Sequence, residues 1–297
     1  MSVAIPAPTP WQEYARVARH FTWTRGVEVC ALQASPLLGA YLGGLAFDMA
    51  GMSRLALLLL GSTALTAHVF VFNDWADYDS DARDQRRPGA RAIGYGISRS
   101  QVAFLAIVLL IRANAALAVI GVSALLFGAG ITALSLLYSV SPRLGKRTPI
   151  AASFNHVIGG SLHFLLGYAT FHAVDARGVS LSLFFGLVFA AGHLNQEVRD
   201  YESDRANGIA TSAVAFGCRS GFLASFCLFT AAYLLVAALA AAGILPKLLL
   251  LSGVAWVVQA GWSHQALRRG LDFETSLWMQ RRYRLLFALV GLAMLVR

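Results

Sequence analysis

The sequence predicts an all-α integral membrane protein, a single domain built as a bundle of about nine transmembrane helices. Three observations predict it. First, 57% of the 297 residues are hydrophobic and 13% are charged, with a mean hydropathy of +0.62. Soluble domains carry about 25% charge, so most of this chain has no contact with bulk water. Second, the apolar runs are long. Residues 55–73 and 122–140 each carry no charge and reach the roughly 20 residues that span a bilayer. These runs are continuous and do not alternate, which excludes a β-barrel. Third, Lys and Arg collect in alternate loops.

Taken in order, residues 1–24 hold Pro6, Pro8 and Pro10 and no apolar core. They are expected as a short aqueous tail leading into an interfacial helix, not as a cleaved signal peptide. Spans are expected at 27–47, 55–73, 102–118, 122–140, 150–172, 181–196, 221–245, 248–264 and 283–296. The third contains Arg112 beside Asn114, expected to snorkel or to break the helix near the outer face. The last two are short, and eight spans is the fallback. Charge decides for nine. With the N-terminus in the cytoplasm, 19 of the 24 Lys and Arg residues fall in cytoplasmic segments. Only Arg54, Arg177, Lys247 and Arg297 fall on the other side, and Arg112 lies within a span. That split follows the positive-inside rule, and losing one span would scramble it. The net charge of +9 is thereby a matter of topology, and no nucleic-acid partner is expected. Cys30, Cys218 and Cys227 have no metal-ligand spacing and are expected as small buried residues.

Nine of the 15 acidic residues fall in two short segments. Asp74, Asp77, Asp79 and Asp81 stand at offsets 0, 3, 5 and 7, with Asp84 just beyond. Glu197, Asp200, Glu202 and Asp204 repeat the same offsets. If each segment continues its helix, offsets 0, 3 and 7 share a face and offset 5 points away. Asp74, Asp77 and Asp81 then form one stripe, and Glu197, Asp200 and Asp204 another. Like charges at these spacings repel by about 0.2–0.5 kcal/mol per pair, so something cationic should offset them. Both segments end an even-numbered span, which puts both on the cytoplasmic side. Carboxylates in this number suit Mg²⁺, which takes only one or two protein carboxylates when a phosphate supplies further oxygens. The six stripe residues are therefore candidate metal ligands, and the partner should carry phosphate.

At these residues the sequence resembles the UbiA superfamily of intramembrane prenyltransferases. Asn73-Asp74-x-x-Asp77-x-x-x-Asp81 matches the family's first motif, with Arg87-Pro88 and Gly96-Ile97-Ser98 following. Asp200-Tyr-Glu-Ser-Asp204-x-x-x-Gly208-x-x-Thr211, with Phe216-Gly217 beyond, resembles the second motif. Tyr138-Ser139 leading to Lys146-Arg147 resembles the basic loop after the fourth helix, and Asn155 with Gly159-Gly160 fits the start of the fifth. The resemblance implies a bundle around a central cavity open near the cytoplasmic side. It implies two Mg²⁺ ions bridging the acidic motifs to an isoprenoid diphosphate. Asn73, Asp74, Asp77 and Asp81 would serve one metal site, Asp200 and Asp204 the other, and Arg87, Lys146 and Arg147 would hold the diphosphate. There are departures. Glu197 stands where Asp is commoner, Ala210 replaces a frequent basic residue, and Arg25-Gly26 replaces an opening Arg-Pro pair.

The implied activity is Mg²⁺-dependent transfer of a prenyl group from the diphosphate to an acceptor, expected to be aromatic, in the cytoplasmic (inner) membrane. Asp77, Asp200, Lys146 and His193 are the candidate catalytic residues. His193 lies one turn deeper than Glu197 on the same helical face, where it could bond a phenol, act as a base, or simply bond a neighbouring helix. Asn155, His156 and His163 are weaker acceptor-side candidates, and His68 is expected to be structural. Phe70, Phe72, Trp75, Phe154, Phe164 and Tyr168 offer aromatic faces for an allylic cation. Two alternatives stay open: a UbiA-type terpene cyclase without an external acceptor, and a carrier of divalent cations or phosphate. The clustering of acids at one face, away from the midplane, argues against the carrier. Chain length, acceptor and oligomeric state are not legible.

Overall fold

The structure, a computed structural model, describes residues 9–83, 88–141 and 143–296. Helix α1 (Pro10–Leu32) opens on a capping box: Thr9 Oγ1 accepts from Gln12 N at 3.3 Å, and Gln12 Oε1 accepts from Thr9 N at 2.8 Å. Pro10 supplies the preset φ of a first helical position. The chain breaks at Gln33 and resumes as α2 (Ala34–Leu42), because Pro36 has no N–H for the Leu32 carbonyl. The expected interfacial segment and first span are thus nearly one continuous rod, beginning well before residue 27. Helix α3 (Met49–Ala76) starts at Asp48, whose side chain accepts from Gly51 N at 2.7 Å. After the short α4 (Tyr78–Asp81) and α5 (Pro88–Gly94) comes α6 (Arg99–Ile120), capped by Ser98 and Gln101.

A single residue joins α6 to α7 (Val122–Val140). Gly121 makes that turn at φ 143°, a backbone open to glycine and hardly to other residues. Helix α8 (Ala151–Phe171) and α9 (Ala176–Arg199) form an antiparallel pair. The short α10 (Tyr201–Ala206) and α11 (Ser212–Phe216) lead into α12 (Cys218–Ala241). A 3₁₀ turn at Lys247–Leu251 precedes α13 (Ser252–Arg269), and α14 (Phe273–Ala293) closes the bundle. Helix α14 begins ten residues before the apolar run at 283. Its start is set by Asp272, which accepts from Thr275 N at 2.8 Å, so the apolar run marks only the later part of the helix.

Helix occupies all nine expected span positions. Among the described residues, five helices, α3, α6, α7, α9 and α12, are long and apolar enough to cross a membrane by length and composition. Their outer faces are apolar too. Only 17% of the most apolar window of α7 is buried within the protein, while Val122 and Leu126 stand exposed. Apolar surface on this scale needs a lipid solvent. The interior, conversely, holds polar residues such as Gln259, Ser62 and Ser276 at 0% exposure. Two sequence expectations change. Cys30 and Cys227 are exposed on the outer face rather than buried. Helix α6 runs unbroken through Arg112, whose exposed side chain leaves snorkelling and removes the helix break.

Helices α2 and α8 pack backbone to backbone through Gly39 and Gly167. A Cβ on Gly39 would lie 2.8 Å from Tyr168 N, and one on Gly167 would collide with the Pro36 carbonyl. Small residues let helices approach this closely in lipid, where apolar burial alone drives little association. Gly167→Val is therefore expected to destabilise the protein by at least about 1–3 kcal/mol. Thermal melting in detergent measures it, and an unchanged midpoint would refute the close contact.

Candidate active site

The two acidic segments share a backbone as well as a spacing. Helix α3 ends at Asp77 (φ −92°, ψ 1°) and α9 ends at Asp200 (φ −93°, ψ 7°). Each then restarts as a short helix. The i→i+4 bonds carry across both joints, with Asp81 N to Asp77 O at 2.8 Å and Asp204 N to Asp200 O at 2.9 Å. A one-residue hinge therefore keeps the helical phase, and the expected faces survive. Asp74, Asp77 and Asp81 are 2%, 6% and 3% exposed, whereas Asp79 points outward to Arg99 at 3.1 Å. Glu197 and Asp204 are buried, Asp200 is partly open and Glu202 is exposed. The local sequences match further than the acids: both read Asp-Tyr-acid-Ser-Asp from the hinge onward.

The end of α7 and the loop after it tie the two segments together. Asn73 Nδ2 donates to Ser139 Oγ at 3.4 Å. The neighbouring Tyr138 ring meets His193 edge-on at 5.8 Å, one turn before Glu197. Lys146 N donates to Tyr138 O at 3.0 Å, and the Lys146 ammonium pairs with Asp77. Four residues on, Ile150 N donates to Ser212 Oγ at 3.2 Å, next to the second segment. Ile150 holds φ 69°, a left-handed backbone that costs a β-branched residue free energy. The first and second acidic segments thus lie at one end of the bundle, bridged by one basic loop.

The acids are offset by the protein's own cations. Arg25 grips Asp74 with both Nε, at 3.2 Å, and a terminal nitrogen, while its guanidinium lies over Phe70 at 5.3 Å. Lys146 pairs with Asp77. Arg199 forks onto Asp200 with two bonds of 2.8 Å and also donates to Gln280 Oε1 at 2.9 Å. Glu197 Oε2 accepts from Ala213 N at 3.3 Å. Its Oε1 lies 2.9 Å from His193 Nε2, at ion-pair distance but at an angle that makes no hydrogen bond. His193 stacks flat on His156, with ring centroids 3.8 Å apart and 7° between planes. His20 sits near Asp74 and Arg91. Burial lowers its pKa below the usual imidazole value, against the opposing pull of Asp74.

Several expected residues fall elsewhere. Arg87 and Asp84 lie outside the described residues. Arg147 is exposed, whereas Lys146 beside it is buried. Phe164 and Tyr168 belong to the far end of the bundle, where Tyr168 donates to Asp175 Oδ1 at 3.0 Å ahead of α9. Phe154 is exposed. His163 bonds Ser62 Oγ at 2.9 Å and His68 bonds the Ala106 carbonyl at 2.8 Å, both packing roles. Asn155 Nδ2 donates to Leu134 O at 3.0 Å. Sequence reasoning missed Arg25 and Arg199 as carboxylate partners. The signal for Arg199 was its place beside Asp200, while for Arg25, 49 residues from Asp74, it was the Arg kept at the opening pair, which names no partner.

The hard oxygen donors suit Mg²⁺ by their chemistry, and Glu197 Oε1 is a buried acceptor with no hydrogen bond. Among the described residues no three His, Cys, Asp or Glu groups already converge as a ligand cluster. Lys146 and Arg199 already engage the carboxylates of Asp77 and Asp200.

Apolar helices facing lipid, with a carboxylate-rich polar site at one end, define an integral membrane helix-bundle protein. The model of the UbiA prenyltransferase family matches residues 36–290, and the chain belongs to that family. Its fold is that of solved family members. A UbiA homologue from Archaeoglobus fulgidus, bound to GPP and Mg²⁺, superposes with a TM-score of 0.70 at 19% identity. The match covers 95% of this chain and 99% of that one. A digeranylgeranylglyceryl phosphate synthase gives 0.68 at 16% identity over 94% and 98% of the two chains. A homologue from Aeropyrum pernix K1 gives 0.64 at 19% over 89% and 96%. No curated protein matches the chain.

The Arg25–Asp74 pair joins elements distant in sequence around a carboxylate that is 2% exposed. Arg25→Met leaves a buried carboxylate without its counter-charge and is expected to cost about 3–5 kcal/mol. Adding Asp74→Asn should restore most of that loss in the same melting assay. A double variant no more stable than Arg25→Met alone would contradict the pairing.

Proposed function

We propose that this chain transfers a prenyl group from an isoprenoid diphosphate to an acceptor, most simply an aromatic one, at the bundle end carrying the two acidic segments. One observation carries the reading: two carboxylate hinges of matched backbone geometry, bridged by a loop that inserts a buried lysine. The family membership supports the transferase class. The Archaeoglobus fulgidus homologue bound to GPP and Mg²⁺ supports the substrate class and the metal.

Asp74, Asp77 and Asp81 would hold metal on one side, and Glu197, Asp200 and Asp204 on the other. Mg²⁺ there would neutralise diphosphate charge as the C–O bond breaks. Lys146 and Asn73 lie beside Asp77, where an ammonium and an amide can donate to diphosphate oxygens. A diphosphate arriving with its metal would exchange the partners of Asp77 and Asp200, freeing the Lys146 and Arg199 cations to face the leaving group. Arg147 would reach the diphosphate from the exposed rim, and Arg87 remains a candidate by motif alone. His193, held flat against His156, would present an imidazole edge to the acceptor. The apolar bundle interior would take the isoprenoid tail and keep water from the cation. The charge split between loops supports a cytoplasmic orientation for this end.

Membranes incubated with a prenyl diphosphate and Mg²⁺ should release pyrophosphate. Asp77→Ala and Asp200→Ala should each lower the rate by about 10²-fold or more, the scale of losing one charge-stabilising group. Asp79→Ala and Glu202→Ala, at the outward offsets, should stay within about threefold of wild type. Full activity in both hinge variants would sink the reading, and product mass separates transfer from cyclisation.

A further inference from the structure

Helices α13 and α14, on the side of the turn that joins them, carry a cation cluster that the acidic segments do not use. The Arg282 guanidinium lies 3.8 Å from the centre of the Trp278 ring, and Arg269 lies 4.9 Å from the same ring. Arg282 also lies 5.7 Å from Trp262. One indole therefore holds two like charges. Several cations elsewhere at this end meet carboxylates: Arg16 with Glu13, Arg25 with Asp74, Arg99 with Asp79, Lys146 with Asp77 and Arg199 with Asp200. Among the described residues, neither Arg269 nor Arg282 forms an ion pair with a carboxylate. The acid nearest in sequence to Arg269, Asp272, is engaged in capping α14.

We infer that Arg269, Arg282 and Trp278 form a binding site for the phosphodiester headgroup of an anionic phospholipid. Two guanidinium forks can each donate paired N–H groups to phosphate oxygens, which ammonium groups cannot do with the same geometry. The indoles suit the headgroup level, where one edge is wet and the ring body is apolar. The same two helices expose Val254, Val257, Leu285 and Leu289 along their length, an apolar surface for acyl chains. The turn lies at the end of the bundle that holds the acidic segments. Arg199 reaches Gln280 of α14 and lies 5.9 Å over Phe273. Topology alone accounts for basic residues in this loop. It does not account for two of them stacked on one ring with no carboxylate partner. The Arg268 and Arg269 positions also suit the negative end of α13, but Arg282 lies mid-helix, where no such field acts.

The test uses the full chain in nanodiscs or mild detergent, with bound lipid counted by native mass spectrometry. Wild-type protein should retain phosphatidylglycerol over phosphatidylcholine. Arg269→Gln/Arg282→Gln should lose about fivefold of that preference per guanidinium, the scale of one basic residue near an anionic surface. Arg143→Gln/Arg219→Gln removes the same charge from the same end and should keep the preference. Equal loss in both double variants would reduce the effect to general charge attraction and overturn the site. If the Gln pair fails to fold, Arg269→Lys/Arg282→Lys keeps the charge and removes the forks. It should lose most of the preference, and full retention would overturn the inference. Inorganic phosphate at millimolar level should not displace the lipid; displacement would mean a free-anion site instead.

Discussion

Carboxylates buried at the edge of a membrane bundle need counter-charge, and the rest of the site follows from how that need is met. An ionised group removed from water costs several kcal/mol even after relaxation. Asp74, Asp77 and Asp81 are all buried on one face of one segment. Two of these meet a cation from a distant part of the chain, Arg25 from α1 and Lys146 from the α7–α8 loop. Those pairs bring α1 and the loop onto the end of α3. The same pairs decide what the site can exchange. A carboxylate already balanced by a basic side chain can pass that partner to an anion and accept a metal in its place, with little change in total charge. The cationic offset that the stripes call for is thus supplied in part by the protein itself.

The hinge residues add geometry to the electrostatics. Asp77 and Asp200 both sit where a long helix ends and a short one begins. A helix C-terminus carries a partial negative charge, so an acid there is unfavourable on dipole grounds. Lys146 and Arg199 answer that cost directly. The joint also bends each segment without losing its phase, so the acid at offset 7 still falls on the buried face. One hinge built twice, on α3 and on α9, gives two acidic segments of matched backbone, and the α7–α8 loop reaches the first through Lys146 and the neighbourhood of the second through Ile150. The loop is itself constrained, since Ile150 adopts a left-handed backbone. A strained residue persists only where its surroundings fix it, and here Ser212 holds its N–H.

Much of this was legible in the sequence, and the reasons are local. The positions of α3, α6 and α7 follow from apolar runs whose length matches a bilayer. The outward placement of Asp79 and Glu202 follows from helical phase alone. Helix starts were less legible. Helix α14 begins at a capping Asp272 inside a polar stretch, where hydropathy gives no signal. Helix α1 begins at Thr9 and Pro10 for the same kind of reason. Cys30 and Cys227 were misjudged because an apolar residue in lipid can be exposed to the protein's surroundings and still avoid water. Pairings across the fold, such as Arg25 with Asp74 or Tyr138 with His193, depend on tertiary packing that no spacing encodes.

The histidines show how packing sorts residues that composition treats alike. His68 and His163 lie within spans and meet a carbonyl and a hydroxyl, which satisfies one ring nitrogen each. His156 bonds the Ala152 carbonyl one turn back at 2.8 Å, which fixes its ring as a platform. His193 is different. One face stacks on His156 and the Tyr138 ring meets it at 5.8 Å in an edge arrangement, while its Nε2 stands beside Glu197 without a hydrogen bond. Stacking on His156 fixes the plane of the ring and with it the direction of its edge. That edge lies 2.9 Å from the first acid of the second segment. The imidazole and Glu197 are thus held side by side where α7, α8 and α9 meet, through Tyr138, His156 and His193.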